Sequence, residues 1–115
     1  MKQLLSSLSY LHEQGIVHRD IKLENMVLLE KFDPTCEKEV NIKLIDFGLA
    51  AVCPKNQSKK TGLVGTVCYM APEIVKKSFS SKSDIWSCGV VFYLMIQGCF
   101  PFRASLQEET LKKIC

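Results

Sequence analysis

A short run of polar side chains could carry out chemistry on a phosphate group. Asp20, Lys22 and Asn25 supply a carboxylate, a cation and an amide oxygen, and Asp46 follows a predicted hairpin. Phosphoryl transfer needs a carboxylate that receives the proton of the attacking hydroxyl, and hard oxygen ligands that hold Mg²⁺. The four side chains therefore contain the groups for this reaction, provided that the fold brings them together.

Four motifs follow one another in register along the chain. They are His18-Arg-Asp-Ile-Lys-Leu-Glu-Asn25, Asp46-Phe-Gly48, Ala71-Pro-Glu73 and Asp84-Ile-Trp86. Alone, the second motif would more often be an ordinary turn after a strand. Each specified residue arises by chance at about one position in twenty, so a dozen ordered matches are not a coincidence.

These motifs resemble the eukaryotic serine/threonine protein kinase family over essentially the whole chain. The resemblance implies an α+β fold, namely a mainly helical C-lobe fragment with a small β-hairpin that carries the catalytic and Mg-binding loops. Residues 1–115 would form a partial kinase domain, with the N-lobe and the C-terminal end outside it. The stretches around Asp46 and Ala71 look most like the calcium- and calmodulin-regulated group.

The same resemblance assigns roles within the motifs. Asp20 would be the catalytic base, and Lys22 the cation that meets the transferred phosphoryl group and helps to bind the nucleotide. Asn25 and Asp46 would hold Mg²⁺ and, through it, ATP, while Val27 would lie under the adenine. ATP and Mg²⁺ are the implied cofactors.

Specificity and substrate binding are expected to depend on the activation segment. Lys22, together with Thr66 in a Gly-Thr-x-x-Tyr pattern, indicates transfer to Ser or Thr of a protein substrate. Glu24 could contact a basic residue of that substrate, or could equally be a solvated loop glutamate. Both interpretations remain open from the sequence.

Arg19 suggests regulation, because an arginine before the catalytic aspartate clamps a phosphorylated loop in many such kinases. Thr61 and Ser58 are the candidate phosphorylation sites. Against this, Ala51 stands where a second basic residue is common, and Gly62 occupies the usual acceptor position. Switching by phosphorylation and its absence are therefore equal alternatives.

Further residues are expected to support the site. By the resemblance, His18 and Phe47 would stack in an internal hydrophobic column, and Asp84 would brace the catalytic loop. Glu73 would pair with an arginine beyond Cys115. If Glu73 is buried without a partner, the cost is a few kcal/mol.

The elements that must position these residues can be read from periodicity. Apolar residues at helical spacing, followed by Gly15, predict a helix of about 13 residues at the start of the chain. Residues 26–30 and 41–45 predict a hairpin with a long exposed connection at 31–40, and residues 53–65 predict a mobile loop. Ser83 or Ser81 would cap a helix to Gln97, buried around much of its circumference, and residues 105–115 begin an amphipathic helix.

Composition excludes several classes of function. The 115 residues carry 15 Lys and Arg against 12 Asp and Glu, with no long run of like charge that would indicate nucleic acid or a membrane surface as partner. The six cysteines form no C-x-x-C pair or zinc-like spacing, so we expect reduced thiols. With no signal peptide or apolar run long enough to span a bilayer, we expect a cytoplasmic protein, with the nucleus as a second compartment. It would be a monomer or bound to a kinase regulator.

Other family motifs do not occur in this sequence. There is no Gly-x-Gly-x-x-Gly and no Val-Ala-x-Lys, so we expect the isolated chain to transfer phosphate negligibly. The alternative is a kinase-derived binding module without catalysis, or a pseudokinase. Small-molecule phosphotransferases share the loop from Asp20 to Asn25, but would not match at Thr66, Ala71-Pro-Glu73 and Asp84-x-Trp86.

Overall fold

Helices and short antiparallel strands fall in largely separate stretches of the chain, as is usual in an α+β fold. The structure is a computed structural model that describes residues 1–31, 35, 39–54 and 56–115. The helices in these residues are α1 (Lys2–Glu13), α2 (Pro72–Val75), α3 (Ser81–Gln97) and α4 (Gln107–Ile114). The strands are β1 (Ile16–Val17), β2 (Met26–Leu28), β3 (Ile42–Leu44), β4 (Ala51–Val52), β5 (Lys59–Lys60) and β6 (Ser78–Phe79). They pair as β1–β4, β2–β3 and β5–β6.

The first helix forms where the leucine periodicity predicts it. Leu4 and Leu8 are fully buried on one face of α1, while Leu5 on the other side is half-exposed. The helix ends at Glu13, and Gly15 then adopts a positive φ of 69° that turns the chain into β1. α1 thereby directs the chain towards residues 18–25.

The predicted hairpin is confirmed as β2 and β3, although both strands are shorter than expected. Met26 faces Leu44 across the ladder, and one register step further the amide of Ile45 donates to the carbonyl of Asn25 at 2.9 Å. Asp46, the next residue after Ile45, therefore lies close to Asn25 at the end of its loop. The predicted connection at 31–40 falls largely on residues 32–34 and 36–38, which lie outside the described residues.

Two of the three sheets were not predicted. β1 pairs with β4, which brings the chain after Asp46 back beside the residues that precede His18. β5 lies within the stretch 53–65 that we predicted as a loop, and it pairs with β6 further along the chain, so that prediction is partly wrong. Strands of two residues are too short to show a period of two, which is why the sequence pattern missed them.

The N-cap of α3 is Ser80, not Ser81 or Ser83 as predicted. The Ser80 hydroxyl accepts from the amide of Lys82, and the Ser83 hydroxyl accepts from the amide of Ser80, each at 3.3 Å. This reciprocal arrangement is a capping box, in which the third helical residue completes the cap. Ser83 thus contributes to the cap from inside the helix. At the other end, Gly98 adopts the left-handed conformation.

The prediction that α3 is buried around much of its circumference is wrong. Its Cys88, Val90 and Val91 are buried against α1 and the segment near Tyr69. The opposite side is open because no described element covers it. The large apolar side chains exposed there are Ile85, Phe92, Tyr93, Met95 and Ile96.

Two apolar clusters lie on either side of residues 18–20. One contains Ile21 with Leu4, Leu8 and Val91, and the other contains Val17 with further buried side chains. The buried members of the second cluster are Val17, Cys53, Met70, Ala71, Ile74 and Phe79. The loop at 18–20 is therefore attached at both ends to packed side chains, which limits its movement.

The cysteines and helices of the described residues can be compared with the sequence expectations. The described cysteines 53, 68, 88, 99 and 115 are free thiols, as expected, and Cys36 lies outside the described residues. No helix among the described residues combines the length and apolar character needed to cross a membrane.

Replacement of the cap residue tests the observed start of α3. Ser80→Ala removes the side-chain acceptor, so we expect the free energy of unfolding to fall by about 1 kcal/mol. The matched variant Ser81→Ala should change it by less than about 0.5 kcal/mol, because Ser81 makes no capping bond. Urea denaturation followed by circular dichroism measures both. A larger loss for Ser81→Ala than for Ser80→Ala would contradict the assignment.

Candidate functional site

The buried carboxylate of Asp84 fixes the backbone at the start of the candidate site. Its Oδ2 accepts from the amide of His18 and its Oδ1 from the amide of Arg19, both at 2.9 Å. Only 1% of Asp84 is exposed. Because the acceptor sits on the long helix α3, the loop is held from below by a rigid element, in agreement with the predicted bracing role.

His12 is a third partner of Asp84 that the sequence analysis missed. Its Nε2 lies 2.8 Å from Oδ2 of Asp84, which links α1 to α3 beneath the loop. A lone histidine near the end of an amphipathic helix has no sequence signal that separates it from a surface residue. The contact becomes visible only once α1 and α3 are packed together.

Asp20 is the centre of a hydrogen-bonded cluster of side chains predicted to form the site. Its Oδ2 accepts from Nζ of Lys22 at 2.6 Å and from Nδ2 of Asn25 at 3.1 Å. Its Oδ1 accepts from the hydroxyl of Thr66 at 2.8 Å and from the Thr66 amide at 3.2 Å. The fold therefore brings together three predicted residues from the loop and one from the activation segment.

This cluster sets the ionisation of Asp20 and Lys22. Burial opposes ionisation of Asp20, but hydrogen bonds from Lys22, Thr66 and Asn25 outweigh it and hold the Asp20 pKa below its ordinary value. The hydrogen bond to Asp20 in turn raises the pKa of Lys22. Both groups are therefore charged at neutral pH, with Asp20 available as a proton acceptor.

The segment that contains Thr66 can approach the loop at residues 18–25 this closely because residue 65 is glycine. Gly65 has a φ of 106°, and a Cβ atom built there would lie 2.7 Å from the carbonyl oxygen of Arg19. A contact this short with backbone cannot be relieved by a side-chain rotation. Gly65 thus allows the next residue, Thr66, to reach Asp20.

Asp46 lies at the far end of the hairpin in a strained backbone conformation. Its φ is 62°, and its Oδ1 accepts from the amide of Gly48 at 3.1 Å. Arg19 also has a positive φ, 66°. Non-glycine residues in this region are uncommon, and in the described residues Asn56 and Lys77 also adopt it.

His18 connects the loop at residues 18–25 to the segment that carries Asp46. Its Nδ1 accepts from the amide of Asp20, so Nε2 carries the proton and donates to the carbonyl of Ile45 at 3.2 Å. Its ring also contacts Phe47, with centroids 4.9 Å apart. His18 is completely buried, which agrees with a packing role rather than a catalytic one.

The open face of the hairpin carries apolar side chains. Val27 faces Lys43 across the ladder and is 37% exposed, and Leu28 beside it is half-exposed. An exposed apolar surface next to Asn25 suits a flat, weakly polar ligand group. Val27 thus lies on the exposed face of the hairpin, two residues after Asn25.

Glu24 is held in place by a residue that the sequence analysis did not select. Its Oε2 accepts from the hydroxyl of Tyr69 at 3.3 Å, although Glu24 itself remains exposed. Burial and the Glu24 carboxylate raise the pKa of Tyr69, so the phenol keeps its proton and remains a donor. The Gly-Thr-x-x-Tyr pattern contained Tyr69, but only the fold shows its partner.

Arg19 contacts one of the two candidate phosphorylation sites. Its Nη1 donates to the Thr61 hydroxyl at 3.2 Å, its Nε donates to the Leu49 carbonyl at 2.6 Å, and its guanidinium lies 4.7 Å from the centroid of the Phe79 ring. Ser58 is exposed, and no side-chain hydrogen bond to it occurs in the described part of the chain. The structure thus brings Arg19 to Thr61 but not to Ser58.

Glu73 has a partner within the described chain. The Ser83 hydroxyl donates to its Oε1 at 2.7 Å, and the glutamate is only half-buried. The penalty expected for a buried, unpartnered carboxylate therefore does not arise.

Two of the predicted site residues have side chains suited to Mg²⁺. Asn25 and Asp46 offer an amide oxygen and a carboxylate, the hard ligands that this ion prefers. In the described ranges, no group of three or more His, Cys, Asp or Glu residues is arranged to hold a metal. A magnesium ion here would need further oxygen ligands from a bound phosphate or from water.

Comparison with known proteins gives one family and several named relatives. Residues 1–115 match the family described as "Protein kinase domain". The chain is 40% identical to calcium-dependent protein kinase 4 of Plasmodium falciparum and to serine/threonine-protein kinase 33 of Bos taurus, and 44% identical to the DNA damage response protein kinase DUN1 of Saccharomyces cerevisiae. These matches cover 99%, 99% and 97% of the chain, but only 21%, 24% and 24% of the respective relatives. The chain thus spans about a quarter or less of their length.

Acid titration tests the electrostatics around Asp20. We expect its carboxyl group to titrate below 3.8, the ordinary value. Because the pKa is lowered in the folded state, the group stabilises the fold above pH 3.8, and this contribution is lost as the pH falls through the lowered pKa. Carboxyl ¹³C NMR measures the titration directly.

The variant Thr66→Val removes one of the donors, so the Asp20 pKa should rise towards its ordinary value. The control Ser58→Ala, away from the carboxylate, should leave it unchanged. An Asp20 carboxyl that titrates at or above 3.8 in the unsubstituted chain contradicts the assigned hydrogen bonds.

Proposed function

The chain belongs to the protein kinase domain family. On this basis we propose that it carries the catalytic residues for transfer of the ATP γ-phosphoryl group to a protein Ser or Thr hydroxyl, and that the isolated chain transfers phosphate negligibly. The observation that carries the proposal is the Asp20 carboxylate, ionised and held in one orientation by Lys22, Asn25 and Thr66. A positioned carboxylate beside a cation is what this reaction needs from the protein.

Asp20 is the proposed acceptor of the substrate proton. Its low pKa makes it a weak base, so it contributes chiefly by orienting the hydroxyl and by taking the proton as it leaves. Lys22, whose ammonium contacts Oδ2 of Asp20, lies where it can stabilise negative charge on the phosphoryl oxygens. Asp20 would thus act on the attacking hydroxyl, and Lys22 would act on the phosphoryl group that is transferred.

Asn25 and Asp46 are the proposed ligands of Mg²⁺. Bound with ATP, Mg²⁺ neutralises charge on the phosphate oxygens during the transfer. Asn25 uses its Nδ2 group to hold the backbone and side chain of Asp20, which leaves its Oδ1 for a cation. The hairpin register supports the pairing, because Asp46 follows Ile45, which is bonded to Asn25.

Thr66 and Lys22 support transfer to an aliphatic hydroxyl, as in the relatives named serine/threonine kinases. Glu24 is the proposed contact for a basic residue of the substrate, since it is exposed and oriented by Tyr69. The alternative, a kinase-derived binding module without catalysis, is not favoured by the matches to named kinases.

A chimera tests the reaction, because the relatives extend beyond the matched segment. Residues 1–115 replace the aligned segment of calcium-dependent protein kinase 4, and phosphorylation of a Ser- or Thr-containing peptide is measured. Asp20→Asn should lower kcat about 10²- to 10⁴-fold, since it removes the proton acceptor. The control Lys112→Gln, on the exposed side of α4, should change kcat by less than about twofold.

A folded chimera that keeps its kcat with Asp20→Asn would refute the catalytic role. Folding of each variant is checked by its melting temperature. The same chimera with Glu24→Gln, assayed on peptides with and without basic residues, tests the proposed substrate contact.

Regulation by phosphate at Thr61 is a second proposal, supported by the contact with Arg19. A phosphothreonine there would accept hydrogen bonds from the guanidinium, so we expect phosphorylation to raise the melting temperature of the chain. The increase should be lost in Arg19→Gln, and a phosphate on Ser58 should give none. Mass spectrometry of protein from cells, combined with calorimetry, measures site and effect. An active protein without phosphate on Thr61 refutes the proposal.

A further inference from the structure

We propose that five lysines around the β5–β6 sheet form a docking surface for an acidic peptide segment of a partner protein. The five residues, here called the lysine patch, are Lys59, Lys60, Lys76, Lys77 and Lys82. They come from the stretches 59–60 and 76–82, which the β5–β6 pairing brings together. This inference concerns a surface outside the cluster around Asp20.

Pairing of the strands creates the patch. Lys60 lies opposite Ser78 in the β5–β6 ladder, and the amide of Thr61 donates to the carbonyl of Lys77 at 3.0 Å. Lys76 precedes Lys77 in the turn that leads into β6, and Lys82 lies in the first turn of α3 directly after it. Both ends of the two-stranded sheet thus carry cations.

All five lysines are free to bind an external anion. Each is exposed, and none makes an ion pair within the described residues, where the ion pairs are Lys22–Asp20 and His12–Asp84. The acidic side chain beside the patch is Glu73, which is engaged by the Ser83 hydroxyl. Because neighbouring unpaired cations repel one another, an acidic ligand that neutralises them is favoured.

Hydroxyl groups next to the patch could hold a peptide. An open cavity of about 450 Å³ is lined by Ser58, Ser78, Ser80 and Lys82, together with Glu73, Phe79 and Trp86. In the described part of the chain, the hydroxyls of Ser58 and Ser78 make no side-chain hydrogen bond. They are available to carboxylate or backbone groups of a ligand that is held mainly by its charge.

The composition of the patch favours an acidic peptide over other anions. Single-stranded nucleic acid is normally held by exposed aromatic rings as well as cations, and membrane surfaces by exposed apolar side chains. Neither kind of side chain is exposed among residues 58–62 and 76–82. Duplex DNA usually engages about six to ten phosphate contacts along an extended element, whereas this sheet has two-residue strands.

The patch is also connected to the catalytic loop. Arg19 contacts Thr61, which follows β5, and stacks on Phe79 of β6. A ligand that orders the β5–β6 sheet would therefore also order the side chain next to Asp20. Docking of an acidic segment would thereby restrict the Arg19 side chain in the loop without any direct contact between the ligand and the loop.

Fluorescence anisotropy with the full chain tests the proposal. The probe is a short labelled peptide of alternating Asp and Ser, compared with an Asn and Ser peptide of equal length. The patch variant carries Lys59→Gln, Lys60→Gln and Lys76→Gln, and should bind the acidic probe about tenfold more weakly, because several exposed ion pairs are lost together. The Asn and Ser peptide should not bind, and added salt should weaken binding of the acidic one.

A control variant of equal net charge separates docking from general attraction. It carries Lys2→Gln, Lys31→Gln and Lys112→Gln, three exposed lysines outside the patch, and should bind like the unsubstituted chain. Equal losses in the two variants, or no binding of the acidic peptide at low salt, would overturn the proposal. So would tighter binding of duplex DNA or of phosphatidylserine vesicles than of the acidic peptide. Circular dichroism of every variant confirms that each is folded.

Discussion

The candidate site depends on one buried carboxylate, that of Asp84. A charge with 1% exposure is stable only when hydrogen bonds replace its lost water, and here two backbone amides and the His12 ring do so. The requirement works in both directions. Asp84 needs the amides of His18 and Arg19, and those amides need Asp84 to keep a turn with a positive φ at Arg19. The position of Asp20 follows from this mutual constraint.

From this fixed point, the remaining geometry is transmitted by side-chain hydrogen bonds. His18 accepts from the amide of Asp20 and donates to Ile45, so the loop and the segment after β3 move together. Lys22 and Asn25 then orient one oxygen of Asp20, and Thr66 orients the other. A charged side chain that is bonded on both oxygens has little freedom, and preorganisation of this kind reduces the reorganisation required during catalysis.

The sequence predicted this site because its chemistry is local in the chain. Asp20, Lys22 and Asn25 fall in one loop, and the hairpin that brings Asp46 to them has apolar runs long enough to recognise. What the sequence did not reveal depends on contacts between distant short segments. The pairing of Lys59–Lys60 with β6 involves two residues per strand, which is too few for any periodic signal.

The cap of α3 shows a different limit of prediction. Four serines surround the start of this helix, and their types alone favour none of them. The choice of Ser80 follows from Ser83, whose hydroxyl completes the capping box and also donates to Glu73. The apolar side of α3 is a second case in which residue types alone were not enough. Its apolar residues predicted burial, but burial requires a second surface, and the described chain provides none on that side.

Gly65 contributes no functional atom, yet the approach of Thr66 to Asp20 depends on it. Where a Cβ atom would stand, the carbonyl oxygen of Arg19 already lies within 2.7 Å. Every missense change at this codon adds at least that one carbon atom. Natural variation should therefore be scarcer here than at many positions that carry charge, because selection preserves an empty volume rather than a side chain.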